Sequence, residues 1–174
     1  MRHIRFDDVP LASNSALSVG LVSDTHRLLR DEACGRLAGV DLILHAGDIG
    51  APEVIEALAM ISPTFAIRGN IDVAPWTQSL PDTASIKLGF ADVYMIHNVK
   101  ELDLDPGQAG YAMVISGHSH KPNIEERDGV LFINPGSIGP RRFTLPISFA
   151  RLRVTESGLK TDFIELEAPP RKGH

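Results

Sequence analysis

The sequence predicts a mixed α/β layered domain, and three observations predict it. Short apolar runs alternate with stretches of helical periodicity as far as Pro81. Beyond Pro81 the helical periodicity stops and apolar runs of strand length follow one another. Gly- and Asp-bearing dipeptides sit where consecutive strands must reverse. Strand–helix alternation calls for parallel strands joined by crossovers, whereas closely spaced strands with turn pairs call for antiparallel ones.

Residues 1–15 read as an N-terminal extension. Arg2 and Arg5 are followed by Asp7, Asp8 and Pro10, without the apolar segment of a secretory signal. The first apolar run, 17–22, ends at Ser23-Asp24, and the second, 42–44, ends at His45-Ala46-Gly47-Asp48. Between them 31–38 can form a short helix with Ala33, Leu37 and Ala38 toward the sheet. Residues 52–60 make a second helix: Pro52 suits a first turn, and Val54, Ile55, Leu58 and Ala59 share a face. A third run, 65–67, ends at Arg68-Gly69-Asn70. Residues 84–88 and 91–96 then form a hairpin across Gly89-Phe90. Strands at 112–115, 124–127 and 130–133 follow, the last two joined by Asp128-Gly129, a pair that favours a tight hairpin turn. Residues 147–154 and 159–166 pair across Glu156-Ser157-Gly158, and 168–174 read as a frayed tail. A single domain, 16–167, holds the regular structure.

Composition narrows the function classes. At 174 residues the chain can bury a sizeable core, and its 43% apolar and 22% charged residues are ordinary for a globular domain. No apolar run reaches the roughly 20 residues a bilayer requires, so no membrane span is expected. Cys34 is the single cysteine, which excludes an intramolecular disulfide and a thiolate metal cage. Together these point to the cytoplasm. The net charge of −5 argues against general nucleic-acid binding.

One pattern recurs down the chain: five apolar runs each end close to residues of metal-binding type. Residues 17–22 lead to Asp24 and His26, 42–44 to Asp48, and 65–67 to Asn70. The strand before His97 leads to that residue, and 112–115 leads to His118 and His120. The C-terminal ends of parallel strands share one sheet edge, so Asp24, Asp48 and Asn70 should arrive side by side. Gly47, Gly69 and Gly117 each precede one of these residues and permit close backbone approach. Two carboxylates, one amide and four imidazoles without thiolate suit Mn, Fe, Zn, Co or Ni. Seven ligands are too many for one ion but fit two ions sharing a carboxylate, for which Asp48 is the expected bridge.

Each piece alone has a plainer reading. Gly-Asp and Gly-Asn after a strand are ordinary turns, and an isolated His97 would be a hydrogen-bonded histidine. The ordered set is what carries the signal. His3 and His174 fall in tails, His45 reads as a buried packing residue behind the site, and Cys34 as a small helix-face residue. Arg141 and Arg142 are either a solvated pair or phosphate contacts, Arg141 being taken as the substrate-binding candidate beside Asn70. Asn134-Pro135-Gly136-Ser137 is a tight turn able to buttress the site.

Asp24-Thr25-His26, Gly47-Asp48, Gly69-Asn70, His97 and Gly117-His118-Ser119-His120, in that order, resemble the calcineurin-like metallophosphoesterase superfamily. The length and the Asn134–Ser137 turn resemble its small bacterial and archaeal phosphodiesterases, which are related to the retromer scaffold subunit. The resemblance implies a two-sheet αβ sandwich of mixed sheets flanked by helices. It also implies one ion on Asp24, His26, Asp48 and His120, and a second on Asp48, Asn70, His97 and His118, with manganese the common metal. Two departures stand out. Ile71 occupies a position where many members carry a histidine near the leaving group, and Asn98 stands where a glycine usually follows the motif histidine. Asp72 matches an aspartate frequent in the small subfamily.

The expected activity is phosphodiester hydrolysis by in-line attack of a hydroxide held between the two ions, with Asp48, Asn70 and His97 as the catalytic residues. The expected partner is a small phosphoester substrate, and a homo-oligomer stays open. Two rivals remain: a protein-interaction scaffold on the same fold, and a phosphomonoesterase or nucleotide phosphatase. Specificity is expected from 71–80, which includes Trp76, and from 99–110.

Overall fold

Most of the strands are buried on both faces. The computed structural model describes residues 1–167, so the tail at 168–174, with His174, lies outside the described residues. The elements in order are β1 (His3–Arg5), β2 (Ala16–Val22), α1 (Asp31–Leu37), β3 (Leu42–His45), α2 (Pro52–Ala59) and β4 (Thr64–Ala66). The chain continues with β5 (Thr83–Leu88), β6 (Ala91–Ile96), β7 (Met113–Ile115), β8 (Asn123–Arg127), β9 (Val130–Asn134), β10 (Ile147–Thr155) and β11 (Gly158–Leu166). Along β2, Leu17, Val19 and Leu21 face one core while Val22 faces another. In β3, Leu42 and Leu44 share the first core and Ile43 the second. A strand buried on both faces reads as a continuous apolar run, which is why these segments show no polar alternation.

Two mixed sheets result. One has the order β11-β10-β2-β3-β4, the other β1-β5-β6-β7-β9-β8. β2, β3 and β4 run parallel, as the strand–helix alternation requires, and β10 closes against β2 antiparallel. In the second sheet β6, β7 and β9 are parallel, while the β5–β6 and β8–β9 hairpins are antiparallel. The inner faces form the main core. There Ile86, Leu88, Val93, Met95, Met113 and Ile115 meet Leu17, Val19 and Leu21 of β2 and the β10 residues Leu152 and Val154. Burying each such side chain contributes about 1.5–3 kcal/mol.

Both helices cover the outer face of the five-stranded sheet through Ala33, Leu37, Val54 and Leu58, which pack with Val22, Ile43 and Phe149. Gly20 leaves room for Leu37 here, since a Cβ would lie 2.7 Å from Leu37 Cδ2 and that side chain would have to shift. Ala38 and Ala59, expected on the buried faces, are exposed: Ala38 caps α1 with an extended ψ of 138°, and Ala59 ends the last turn of α2. The outer face of the other sheet is covered by irregular chain, with Leu102, Leu104 and Tyr111 packed on Tyr94 and Val114.

The N-terminal segment is part of the fold. β1 pairs parallel with β5, and Ile4, Phe6, Val9 and Leu11 pack against the main core. His3, expected in a tail, lies in β1 with Nδ1 3.0 Å from Thr83 Oγ1 and its ring stacked on Tyr94. Only three residues make this strand, so local periodicity could not reveal it. Trp76 packs against the core under the helices.

Candidate metal centre

The parallel strands deliver their polar ends to one edge. Asp24 and His26 follow β2, Asp48 follows β3 and Asn70 follows β4, three neighbours in one sheet. His97 follows β6, and His118 and His120 follow β7, adjacent strands of the other sheet. The two edges close on one another, so the seven side chains arrive from both layers.

Two tight groups form, Asp24–His26–His120 and Asp24–Asp48–His97, each with ligand atoms within 4.8 Å of one another. His120 Nε2 lies 3.3 Å from Asp24 Oδ1, and His26 Nε2 lies 3.1 Å from His120 Nε2. Asp48 turns one oxygen to each flank: Oδ1 is 3.3 Å from His97 Nε2 and Oδ2 is 3.7 Å from His26 Nε2. Asn70 Oδ1 and His118 Nδ1 meet 3.0 Å apart at the exposed mouth. Asp24 belongs to both groups and so shares the central position expected of Asp48 alone.

Backbone conformation shows the cost of this arrangement. Asp24, His26, Asp48, His118 and His120 all have positive φ, between 45° and 67°. Non-glycine residues occupy this region at a cost and tend to cluster where function requires it. Glycines make room for the strained turns. A Cβ on Gly69 would lie 2.2 Å from Asp48 Oδ1, and one on Gly117 would lie 1.9 Å from Ser23 Oγ.

The donor set fits cations. Asp24 Oδ1 and His97 Nε2 are buried with no hydrogen-bond partner among the described residues, and both face the cluster. His97 Nδ1 donates to the Ala46 carbonyl at 2.7 Å, which leaves Nε2 with its lone pair pointing inward. Burial pushes the Asp24 carboxyl up to about 6, against the opposing pull of His97. Burial, then Arg142 and His26, lower His120 to about 4 and keep it neutral, as ligation requires. Burial also lowers His26. At His97 burial pulls downward, but Asp48 and Asp24 outweigh it and the net shift is upward. Asp48 is the mirror case, with burial raising it and His97 prevailing to lower it.

Supporting contacts hold the ligands. Asp72 accepts from Ile49 N at 3.0 Å, Gly50 N at 2.8 Å and Gly69 N at 2.8 Å, tying the Asp48 turn to the Asn70 turn. His45 is buried as expected: its Nδ1 accepts from Gly47 N at 3.1 Å and its Nε2 meets Thr25 Oγ1 at 3.0 Å. Thr25 donates onward to the Ile49 carbonyl at 3.0 Å. Ser137 Oγ donates to the Asp24 carbonyl at 2.9 Å and Asn134 Nδ2 to the Gly117 carbonyl at 2.6 Å, so the Asn134–Ser137 turn does buttress the site. Asn98 keeps an ordinary φ of −106° and caps the turn Val99–Glu101. Arg142 rather than Arg141 reaches the cluster, with Nη2 3.4 Å from His26 Nε2, while Arg141 Nε turns to the Leu145 carbonyl. Adjacent arginines could not be told apart by pattern, and Asp72 and Thr25 act through backbone groups that leave no periodic trace.

The profile of the calcineurin-like phosphoesterase superfamily domain matches residues 17–157. A probable metallophosphoesterase of Methanothermobacter thermautotrophicus is 30% identical over 162 residues, covering 87% of this chain and 94% of that one. A phosphodiesterase of Methanocaldococcus jannaschii is 27% identical over 146 residues, covering 69% and 83%. The structure of Vps29 from Entamoeba histolytica complexed with zinc superposes with a TM-score of 0.67 at 20% identity, covering 86% of this chain and 99% of that one. That last likeness concerns the fold. No described helix is long and apolar enough to cross a membrane.

Proposed function

Because this chain belongs to the calcineurin-like phosphoesterase superfamily, we propose that it hydrolyses phosphodiesters with two divalent ions, manganese foremost, held by Asp24, His26, Asp48, Asn70, His97, His118 and His120. The observation that carries the reading is the inward convergence of buried donors, with Asp24 Oδ1 and His97 Nε2 otherwise unpartnered among the described residues. Bound ions of this kind lower the pKa of water toward neutrality and neutralise phosphoryl charge.

The chain's own residues do the rest. Asp48 offers one oxygen to each flank and so fixes the spacing of the two halves. The Ala46 carbonyl sets the tautomer of His97. Asn70 and His118, at the open mouth, are placed to orient phosphoryl oxygens. Arg142 adds a cation at the His26 side, where an anionic phosphate would lie. Ile71 is 39% exposed and brings no proton donor to the mouth, so alcohols that leave without help are the favoured leaving groups.

Replacing Asp48 with Asn tests the reading. Turnover of a chromogenic phosphodiester should fall by more than about 100-fold, beyond the usual loss for an outer partner, and both metals should bind less tightly. Wild-type turnover at saturating manganese in that variant would remove Asp48 from the bridge. The scaffold reading shares the fold with Vps29, whose structure is complexed with zinc, so metal binding alone does not separate the two readings and metal-dependent turnover does. Comparing mono- and diester turnover on one preparation decides the phosphomonoesterase alternative.

A further inference from the structure

A cavity of about 170 Å³ opens beside the metal centre. Asn70, His97 and His118 form a wall common to both, and the rest of the lining includes Met1, Asp82, Ile96, Arg68, Asn98 and Glu101. The hydrolysis described above uses none of these last three.

Arg68 is held in a fixed direction. Its Nε donates to Asp82 Oδ1 at 2.5 Å, while Asp82 Oδ2 accepts from Arg2 N at 2.5 Å. Its backbone N donates to the Pro81 carbonyl at 2.9 Å. The two Nη groups make no other hydrogen bond among the described residues. Glu101 is held from the other side, its Oε1 accepting from Asn98 Nδ2 at 2.9 Å, with Oε2 unpartnered among the described residues.

The cavity therefore offers guanidinium donors and a carboxylate acceptor together. Asp82 neutralises Arg68, and the Met1 ammonium on the same lining offsets Glu101, so no net positive charge is left to draw a second phosphate or carboxylate. An ammonium group would satisfy Glu101 and leave Arg68 unmet. A hydroxyl both accepts and donates, so adjacent hydroxyls satisfy both groups at once. Arg68 does not release a proton, and so offers nothing to a departing alcohol. The cavity suits the ester arm that stays on the phosphorus.

We propose that this cavity binds the retained alcohol of the phosphodiester, and that this alcohol is a polyol of the glycerol or sugar type. Its hydroxyls accept from Arg68 Nη and donate to Glu101. The inference rests on the phosphodiesterase reading and names a substrate class for that site.

Two 4-nitrophenyl phosphodiesters with the same leaving group test it, one carrying glycerol and the other methyl as the retained arm. Wild type should favour the glyceryl ester by about tenfold in kcat/KM, the size of one added hydrogen bond to a charged group. Glu101→Gln and Arg68→Gln should each reduce that ratio severalfold. Glu101 lies on the surface, so its variant reports even if the Arg68 variant does not fold. A second readout needs no turnover: titrating zinc-loaded protein with glycerol 3-phosphate should shift the Arg68 Nε and Asn98 Nδ2 NMR signals, and methyl phosphate should not. Turnover of both esters with no preference, or equal shifts from both phosphates, overturns the polyol site. Selective shifts with no turnover under any metal would instead overturn the phosphodiesterase reading and leave the site standing.

Discussion

Asp72 shows how much a single carboxylate can organise. It is 2% exposed and accepts three backbone N–H groups from two turns that carry proposed ligands. Asp72→Ala strands those donors in a buried place, so it should lower stability by about 3 kcal/mol and weaken metal binding by about 10–100-fold. Denaturant unfolding and a metal titration measure the two effects separately. His45 gives a pH signature. Burial lowers it to about 3 from 6.5, so the unfolded chain takes a proton that the native ring refuses. Its contribution is fully present above pH 6.5 and is lost as pH falls toward 3. His45→Gln cannot titrate, so the acid limb of its stability–pH curve should be flatter than that of wild type. An equally steep limb would place the titration elsewhere.

At the scale of elements, the turns after strands matter more than the strands. Residues 17–22, 42–44 and 65–67 were legible because parallel strands buried on both faces are predominantly apolar, Ser18 being the one polar residue in these runs. β1 was not, since three residues at an edge draw their order from β5 rather than from their own pattern. The faces of α1 and α2 were legible at Leu37 and Leu58 but not at Ala38, where the chain has already left the helix, or at Ala59, which faces solvent in the last turn; alanine gives no signal either way. Glycines divide by location. Gly117→Ala would drive a Cβ into Ser23 Oγ and near Asp24 Oδ2, so a loss of about 1–3 kcal/mol is expected together with weaker metal binding. Gly35, in α1, has nothing within 4 Å of an added Cβ. Gly35→Ala should therefore raise stability by about 0.5–1 kcal/mol and leave metal binding alone. Thermal unfolding of the two variants with and without manganese separates the cases.

At the scale of the molecule, the site exists because two sheets present their strand ends to one opening. Sequence order alone indicated that Asp24, Asp48 and Asn70 would share an edge, because β2, β3 and β4 are consecutive and parallel. It did not indicate how the edge bearing His97, His118 and His120 would face them. That depends on the packing of the inner faces, from Leu21 and Leu44 to Met95 and Ile115. The choice of Arg142 over Arg141 and the cavity at Arg68 are likewise products of packing. The central claim is that these seven side chains hold a pair of ions, and metal content tests it most directly. Protein stripped with a chelator, loaded with manganese and freed of excess by dialysis should retain two ions per chain by elemental analysis. Retention of one ion or none, by protein shown to be folded, would contradict it.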